Sequence, residues 1–410
     1  MMINKIRRFP PSFETLAVHA GREDFSTLGV HAPPIDFSTT YPLEDLESCA
    51  RGLDAMAAGG QPLGNPIYAR LHNPTVARFE QALATLERAD EAVAFGSGMA
   101  ALTACLIAAG QRGKHVVAVR PLYGTSDHLL SSELLGLETT WAAAENVGDA
   151  LRPETGLVVV ETPANPTIGL IDVADVVRQA GTVPVLVDST FATPVLQNPL
   201  LQGATMVLHS ATKFLGGHGD VMAGIVATGS EWAAELRRVR VVTGALLHPL
   251  AGYLLHRGLT TLPLRVRAAQ AGARSLARWL AGRPEIEQVA YPELPGGDPR
   301  GLLGRQMRGP GSLIAFELRG GPAAVRSFMA GLRLITPAVS LGSTDTLVQH
   351  PAGLTHRVMP AEDRAGAGIA DGLVRMSVGL ESPRDLECDL ASALDAVHTI
   401  HVPGAVRRAV

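Results

Sequence analysis

The sequence predicts an α/β protein with a mainly parallel sheet covered by helices on both faces. Two observations carry that expectation. From Pro74 onward, short β-rich apolar runs alternate with helical segments, and the 410 residues, 46% hydrophobic and 18% charged, suffice for a large core divided over two or three domains. Residues 1 to about 65 read as irregular, with Pro33-Pro34 and the loop Gly59-Gly-Gln-Pro-Leu-Gly64, and are expected to form an arm lying on another part of the fold or on a second subunit. Thr75–Asp90 reads as a helix with Phe79, Leu83 and Leu86 on one face. Strands are expected at Ala92–Phe95, His115–Val119, Gly156–Val160, Val183–Val187 and Thr205–Leu208, each a short run rich in β-branched or apolar residues. A long Ala/Leu/Arg-rich helix between Thr260 and Arg283 is expected to lead into a second domain. Ser312–Leu318 and Leu373–Val378 read as strands there, and Leu386–His401 as a closing helix.

Composition excludes several classes of function. A net charge of −4 with mixed signs leaves no electrostatic footprint for nucleic acid. Cys49, Cys105 and Cys388 are odd in number and widely spaced, against a disulfide framework and for a reducing compartment. Met1 to Pro11 carries Lys5, Arg7 and Arg8 with no apolar run behind them, so no secretory signal is expected. The apolar stretch Met99–Ala109 is too short to span a bilayer. The thirteen histidines form no ligand pair on a predicted element, and no metal site is expected.

The chemistry concentrates at strand ends. Ser210-Ala-Thr-Lys213 follows the apolar run Thr205–Leu208, and glycines follow the lysine at once. A lysine among hydroxyls and flexible glycines can hold an aldehyde cofactor as an imine. Most lysines are merely solvated, and a second site overturns that plainer account. Twenty-five residues upstream, Asp188 closes the Val183–Val187 run, where a carboxylate can pair with the pyridinium nitrogen of pyridoxal phosphate and keep the ring electron-withdrawing. Gly96-Ser-Gly98-Met-Ala-Ala101 follows a strand and opens a helix, whose bare amides bind phosphate. An NADP-dependent dehydrogenase would also use such a turn, with Arg120 on a 2′-phosphate, but leaves Lys213 and Asp188 without a role. Tyr68-Ala-Arg70 is either an ordinary loop pair or a phosphate clamp, since guanidinium forks onto phosphate oxygens. Glu161-Thr-Pro-Ala-Asn165-Pro166 ends a strand on the sheet edge that carries Asp188, where an Asn can bond the cofactor's ring oxygen. Tyr123 follows another strand, placed to stack on the pyridine.

Tyr-x-Arg, SGMAA, ETPANPT, VDSTF, SATK and SVGLE occur in this order from about Phe13 to the C-terminus. On these motifs the chain resembles the Cys/Met-metabolism family of pyridoxal phosphate enzymes, which spans cystathionine γ-lyase and γ-synthase, methionine γ-lyase and the O-acylhomoserine sulfhydrylases. The resemblance implies the fold-type-I, aspartate-aminotransferase-like architecture: an arm (1–65), a large cofactor domain with a seven-stranded sheet (66–260) and a smaller C-terminal α/β domain (261–410). It also implies a cytoplasmic homotetramer built from catalytic dimers.

Carried onto this sequence, the resemblance makes Lys213 the Schiff-base lysine and Asp188 the pyridinium partner. Ser210, Thr212 and the amides of Gly98 and Met99 would hold the phosphate, joined by Tyr68 and Arg70 of the neighbouring subunit. Tyr123 would stack and help move protons, Asn165 would meet the ring oxygen, and Arg375 with Ser340 would bind the substrate carboxylate. Within the family, Ala338-Val-Ser-Leu-Gly342 followed by Gln349-His-Pro-Ala352 is most similar to methionine γ-lyase, and the apolar Val339 suits a neutral γ-substituent. Thr125 and Arg240-Val241 depart from that subgroup, where Cys and Lys-Asp face the substrate's far end. The implied reaction is γ-elimination to 2-oxobutanoate, ammonia and a thiol or other leaving group, with γ-replacement as the alternative.

Overall fold

The structure, a computed structural model, describes residues 11–401. The reading of Met1 to Pro11 as free of a secretory signal therefore lies outside the described residues, Pro11 apart, as does the tail beyond residue 401.

Seven strands form the large sheet: β1 (Glu91–Phe95), β2 (His115–Val119), β3 (Glu138–Ala142), β4 (Thr155–Glu161), β5 (Val185–Asp188), β6 (Met206–His209) and β7 (Gly224–Thr228). Their spatial order is β1-β7-β6-β5-β4-β2-β3, and only β7 runs antiparallel to its neighbours. β2, β4, β6 and β7 are buried along their whole length. Covered on both faces, they must be apolar throughout rather than alternating, which is why His115–Val119 and Gly156–Val160 stand out as continuous runs. Two apolar layers flank the sheet. One holds Phe79, Leu83 and Leu86, and the other holds Leu102, Cys105 and Leu106.

The helix Pro74–Glu87 begins where Asn73 Oδ1 accepts from the amides of Thr75 and Val76 at 3.0 and 3.1 Å, with Pro74 in the first turn. Gly98–Ala109 is capped in the same way by Ser97 Oγ, which accepts from Ala100 N at 3.0 Å.

Five further strands make a second sheet in the order β10-β11-β12-β9-β8: β8 (Ile286–Ala290), β9 (Leu313–Leu318), β10 (Thr336–Pro337), β11 (Leu347–Gln349) and β12 (Leu373–Ser377). All pairings but β10–β11 are antiparallel. The helices Leu262–Ala281, Gly321–Gly331 and Pro383–His401 pack on it around Phe316 and Phe328, whose rings meet edge to face at 5.7 Å.

Three sequence expectations change. The stretch read as irregular contains the helices Phe13–His19, Phe25–Leu28 and Leu46–Ala57. Leu46–Ala57 buries only Gly52 and Met56 within the chain, so its apolar stripe of Leu46, Cys49, Ala50, Leu53 and Ala57 is largely left uncovered. The helix expected from Thr260 to Arg283 is preceded by a separate one, Pro249–Leu259, and starts at Leu262. β3 and β7 were missed because Glu138–Ala142 is mostly half-exposed and mixed in character, while Gly224–Thr228 opens on glycine.

Candidate active site

The C-terminal ends of the parallel strands converge on one cavity of about 490 Å³. Ligand sites in open α/β sheets lie outside these strand ends, where loops leave the sheet. Glu161 closes β4 and pairs in register with Asp188, the last residue of β5, which in turn faces Leu208 on β6. Ser210, Thr212 and Lys213 follow β6, and the first turn of Gly98–Ala109 closes the same wall. The second sheet supplies Arg375 from β12, Gln349 from β11 and the loop residues Val339 and Ser340.

Burial drives the protonation chemistry here. Lys213 Nζ donates to Ser340 Oγ at 2.9 Å. Burial, aided by the positive charge of Arg375, lowers its pKa to about 8, so roughly a tenth is the free amine at pH 7. Burial raises the Asp188 carboxyl, opposed by two hydrogen bonds from Thr190, whose amide and hydroxyl reach Oδ1 at 3.0 and 2.5 Å. Oδ2 has no partner among the described residues and lines the cavity. Glu161 is raised well above the usual carboxylate range by burial and by Asp188, although the amides of Tyr123 and Asn165 donate to it at 2.7 and 3.0 Å. These two bonds tie Tyr123 and Asn165 to the end of β4. Below the cavity floor, His209 Nε2 lies 2.6 Å from Glu87 Oε1, joining the end of β6 to the helix Pro74–Glu87.

Arg375 is 3% exposed. Its Nη1 donates to Asn165 Oδ1 at 2.8 Å and its Nη2 to the Ser340 carbonyl at 2.9 Å. Burial depresses it to about 10, which still leaves a full cation at neutral pH. Because Arg375 takes the carbonyl end of Asn165, the Asn165 amide is left to donate elsewhere.

The residues fit pyridoxal phosphate. A free, buried carboxylate oxygen on Asp188 suits a pyridinium N–H. The first-turn amides of Gly98 and Met99, without partners among the described residues, and the Ser210 hydroxyl suit a phosphate, whereas the Thr212 hydroxyl donates to the Ala223 carbonyl at 3.1 Å. Gly98 is required at that turn, since a Cβ there would sit 3.0 Å from Ser210 Cβ and close the cradle.

Eleven of the thirteen residues named from the sequence therefore line one cavity: Gly98, Met99, Tyr123, Asn165, Asp188, Ser210, Thr212, Lys213, Val339, Ser340 and Arg375. Tyr68 and Arg70 do not. Arg70 Nη1 donates to the Val241 carbonyl at 2.9 Å, and its guanidinium lies over the Tyr68 ring at 5.6 Å. Thr125 and Arg240 stand outside the cavity wall of their own chain as well. Arg240 is buried in an ion pair with Glu80 and donates to the Ala94 carbonyl at 3.0 Å, so in this chain it braces β1. Sequence reasoning missed the parts played by Glu161, Thr190 and Gln349. Glu161 and Thr190 lay inside quoted motifs, but their roles depend on which amide or carboxylate faces them.

A model of Cys/Met metabolism PLP-dependent enzymes matches residues 14–395. The chain belongs to this family. It is 58% identical over 386 residues to an L-methionine gamma-lyase of Brevibacterium sandarakinum, covering 93% of this chain and 97% of that one. An L-methionine gamma-lyase of Streptomyces avermitilis is 56% identical over 398 residues, covering 97% and 92%. Among solved structures, cystathionine gamma synthase from Xanthomonas oryzae pv. oryzae, in complex with aminoacrylate and cysteine, superposes with a TM-score of 0.88 at 36% identity, over 95% of this chain and 100% of that one. The fold is thus that of pyridoxal-phosphate-dependent trans-sulfuration enzymes. No described helix is long and apolar enough to cross a membrane, and no cluster of metal-ligating side chains occurs among the described residues.

Proposed function

We propose that the chain is a carbon–sulfur lyase that cleaves L-methionine by γ-elimination, giving 2-oxobutanoate, ammonia and methanethiol. The observation that carries this is the pairing, in one cavity, of the catalytic set with the uncharged Val339 beside Ser340. The L-methionine gamma-lyases at 56–58% identity support it.

Pyridoxal phosphate, when bound, supplies an electron sink for charge developing on the substrate's carbon chain. Lys213 would hold its aldehyde, Asp188 its ring nitrogen, Asn165 its ring oxygen, and Ser210, Thr212, Gly98 and Met99 its phosphate. Tyr123 would cover its face. Arg375 sets a positive charge in the cavity wall for the substrate carboxylate, and its Nε is the guanidinium nitrogen without a hydrogen-bond partner among the described residues. With pyridoxal phosphate and substrate bound, the Lys213 amine would take the Cα proton, hand it back to the electron sink, and then take a Cβ proton, and its lowered pKa suits these transfers. Ser340 Oγ, at 2.9 Å, orients that amine. Tyr123 donates a proton toward the departing sulfur. Val339 gives the γ-substituent an apolar surface, where a distal ammonium would be desolvated without compensation.

The same reading takes Tyr68 and Arg70 to complete the phosphate site of a neighbouring subunit, in a cytoplasmic tetramer of catalytic dimers. The exposed Phe37, Leu43, Leu46 and Leu63 of the arm support a covered arm surface. It also divides the chain into an arm (1–65), a cofactor domain (66–260) and a C-terminal domain (261–410).

The test is a substrate panel of methionine, homocysteine, cystathionine and O-acetylhomoserine, with and without added thiol. Methionine-dependent release of 2-oxobutanoate and thiol is expected. Product formation only when a thiol is added to O-acetylhomoserine would replace this reading with γ-replacement.

A further inference from the structure

Beside Arg375 a chain of polar groups, Gln349 and Thr355 on the cavity wall and His356 buried beyond them, reaches from the guanidinium to the turn before Tyr123. Gln349 on β11 pairs directly with Arg375 on β12 and is 1% exposed. With its carbonyl turned to the guanidinium, Gln349 Oε1 accepts from Nη1 and Nη2 at 3.0 and 2.9 Å and lies 3.2 Å from Thr355 Oγ1. The opposite orientation would set amide hydrogens against guanidinium hydrogens, so the carbonyl faces Arg375. Thr355 Oγ1 lies 3.0 Å from His356 Nδ1, and His356 Nε2 lies 3.1 Å from the Leu122 carbonyl. Space at this junction is tight. A Cβ on Gly124 would come within 2.0 Å of the Thr355 carbonyl oxygen.

The direction of each hydrogen follows from valence. His356 is 0% exposed, and burial depresses its pKa to about 4, so the ring is neutral near pH 7. Leu122's carbonyl can only accept, so the single ring hydrogen sits on Nε2 and Nδ1 is an acceptor. The Thr355 hydroxyl then donates to Nδ1 and is turned away from Gln349. Both lone pairs of Gln349 Oε1 stay committed to the guanidinium. Without an acceptor at Nδ1, the hydroxyl would rotate onto Gln349 Oε1 and compete with Arg375 for it.

We propose that His356 is a positioning residue for Arg375, acting through Thr355 and Gln349, and that it sets how strongly the cavity holds a substrate carboxylate. The inference rests on the reading of Arg375 as the carboxylate site. A guanidinium held by Asn165, Ser340 and Gln349 keeps its charge in one place and orientation; loss of a Gln349 bond loosens it.

The test titrates cofactor-loaded enzyme spectrally with norleucine, which has methionine's length but no leaving group, and with pentylamine, its counterpart lacking the carboxylate. In His356→Phe the ratio of norleucine to pentylamine affinity should fall about tenfold, the scale of one charge-assisted hydrogen bond. His356→Asn, which keeps an acceptor near Nδ1, should stay within about threefold of the unmodified enzyme. Adding Thr355→Val to His356→Phe removes the competing hydroxyl and should restore much of the ratio. An unchanged ratio in His356→Phe, or equal weakening of both ligands, overturns the inference. Should that variant fail to fold, Gln349→Leu must lower the ratio to a similar extent, and a ratio unchanged there also overturns it. Arg375→Ala separates the two levels: an intact ratio there removes the carboxylate reading itself. A ratio lost in Arg375→Ala but kept in His356→Phe removes only the role of His356.

Discussion

The strand-end cavity and the Tyr68–Arg70 loop are two halves of one expected site, and they differ in how complete they are. In the cavity, the charged side chains are held by their own chain: Lys213 by Ser340, Asp188 by Thr190, Arg375 by Asn165 and Ser340. In the loop, Tyr68 is 45% exposed, and among the described residues Arg70 meets its own Tyr68 ring and a backbone carbonyl of the helix end. A guanidinium that ends on one carbonyl leaves most of its donors to a group supplied from outside. A single chain can complete chemistry at its strand ends while leaving the phosphate grip to a second copy.

The largest expected effect breaks the complete half. Lys213→Ala should lower kcat/KM by about 10³-fold or more and abolish the visible absorbance of the bound cofactor, since it removes the covalent group. Activity near that of the unmodified enzyme would refute the assignment.

Next comes the incomplete half. Arg70→Ala should weaken cofactor retention by roughly 10- to 100-fold, the loss of a charge-assisted contact, measured by dialysis and reloading. Mixing Arg70→Ala with Lys213→Ala protein should restore part of the activity, because one site of each mixed dimer keeps both residues. No recovery under demonstrated subunit exchange would place the loop's action in its own chain.

A smaller effect concerns specificity within the cavity. Val339→Glu should shift the kcat/KM ratio of cystathionine over methionine upward by about tenfold, as the new carboxylate meets a distal ammonium and penalises an apolar group. An unshifted ratio would remove Val339 from the substrate's path.

The smallest effect sharpens the account of Lys213 without any substrate. Its pKa is lowered from 10.5 to about 8 in the fold. Between those values the unfolded chain binds more protons, so stability rises with pH across that window. Urea unfolding of cofactor-stripped protein should show on the order of 1 kcal/mol gained from pH 8 to pH 10 that Lys213→Met lacks, after allowance for solvent screening. Identical pH profiles for the two proteins would mean that Lys213 is better solvated than its surroundings indicate.

What the sequence determined by itself was the sheet's interior and the identity of the chemical groups. Strands buried on both faces have apolar interiors, so β2, β4, β5 and β6 announce themselves, and the polar residues that close or follow the β5 and β6 runs (Asp188, Ser210, Lys213) stand at the strand ends. The ordered motifs and the resemblance they carry named eleven residues that the fold then gathered. Tertiary structure decided what spacing cannot encode. Glu161 became a clamp on two amides because the Tyr123 turn and the Asn165 loop both return to the end of β4. Arg240, which resemblance directed toward substrate, was instead captured by Glu80 and the β1 carbonyl of Ala94. The helix Leu46–Ala57 carries apolar residues at helical spacing yet leaves most of them exposed in its own chain. Periodicity marks an apolar face but not what covers it. The partner of a polar hydrogen is set only when distant segments meet, and that pairing is what tertiary structure added.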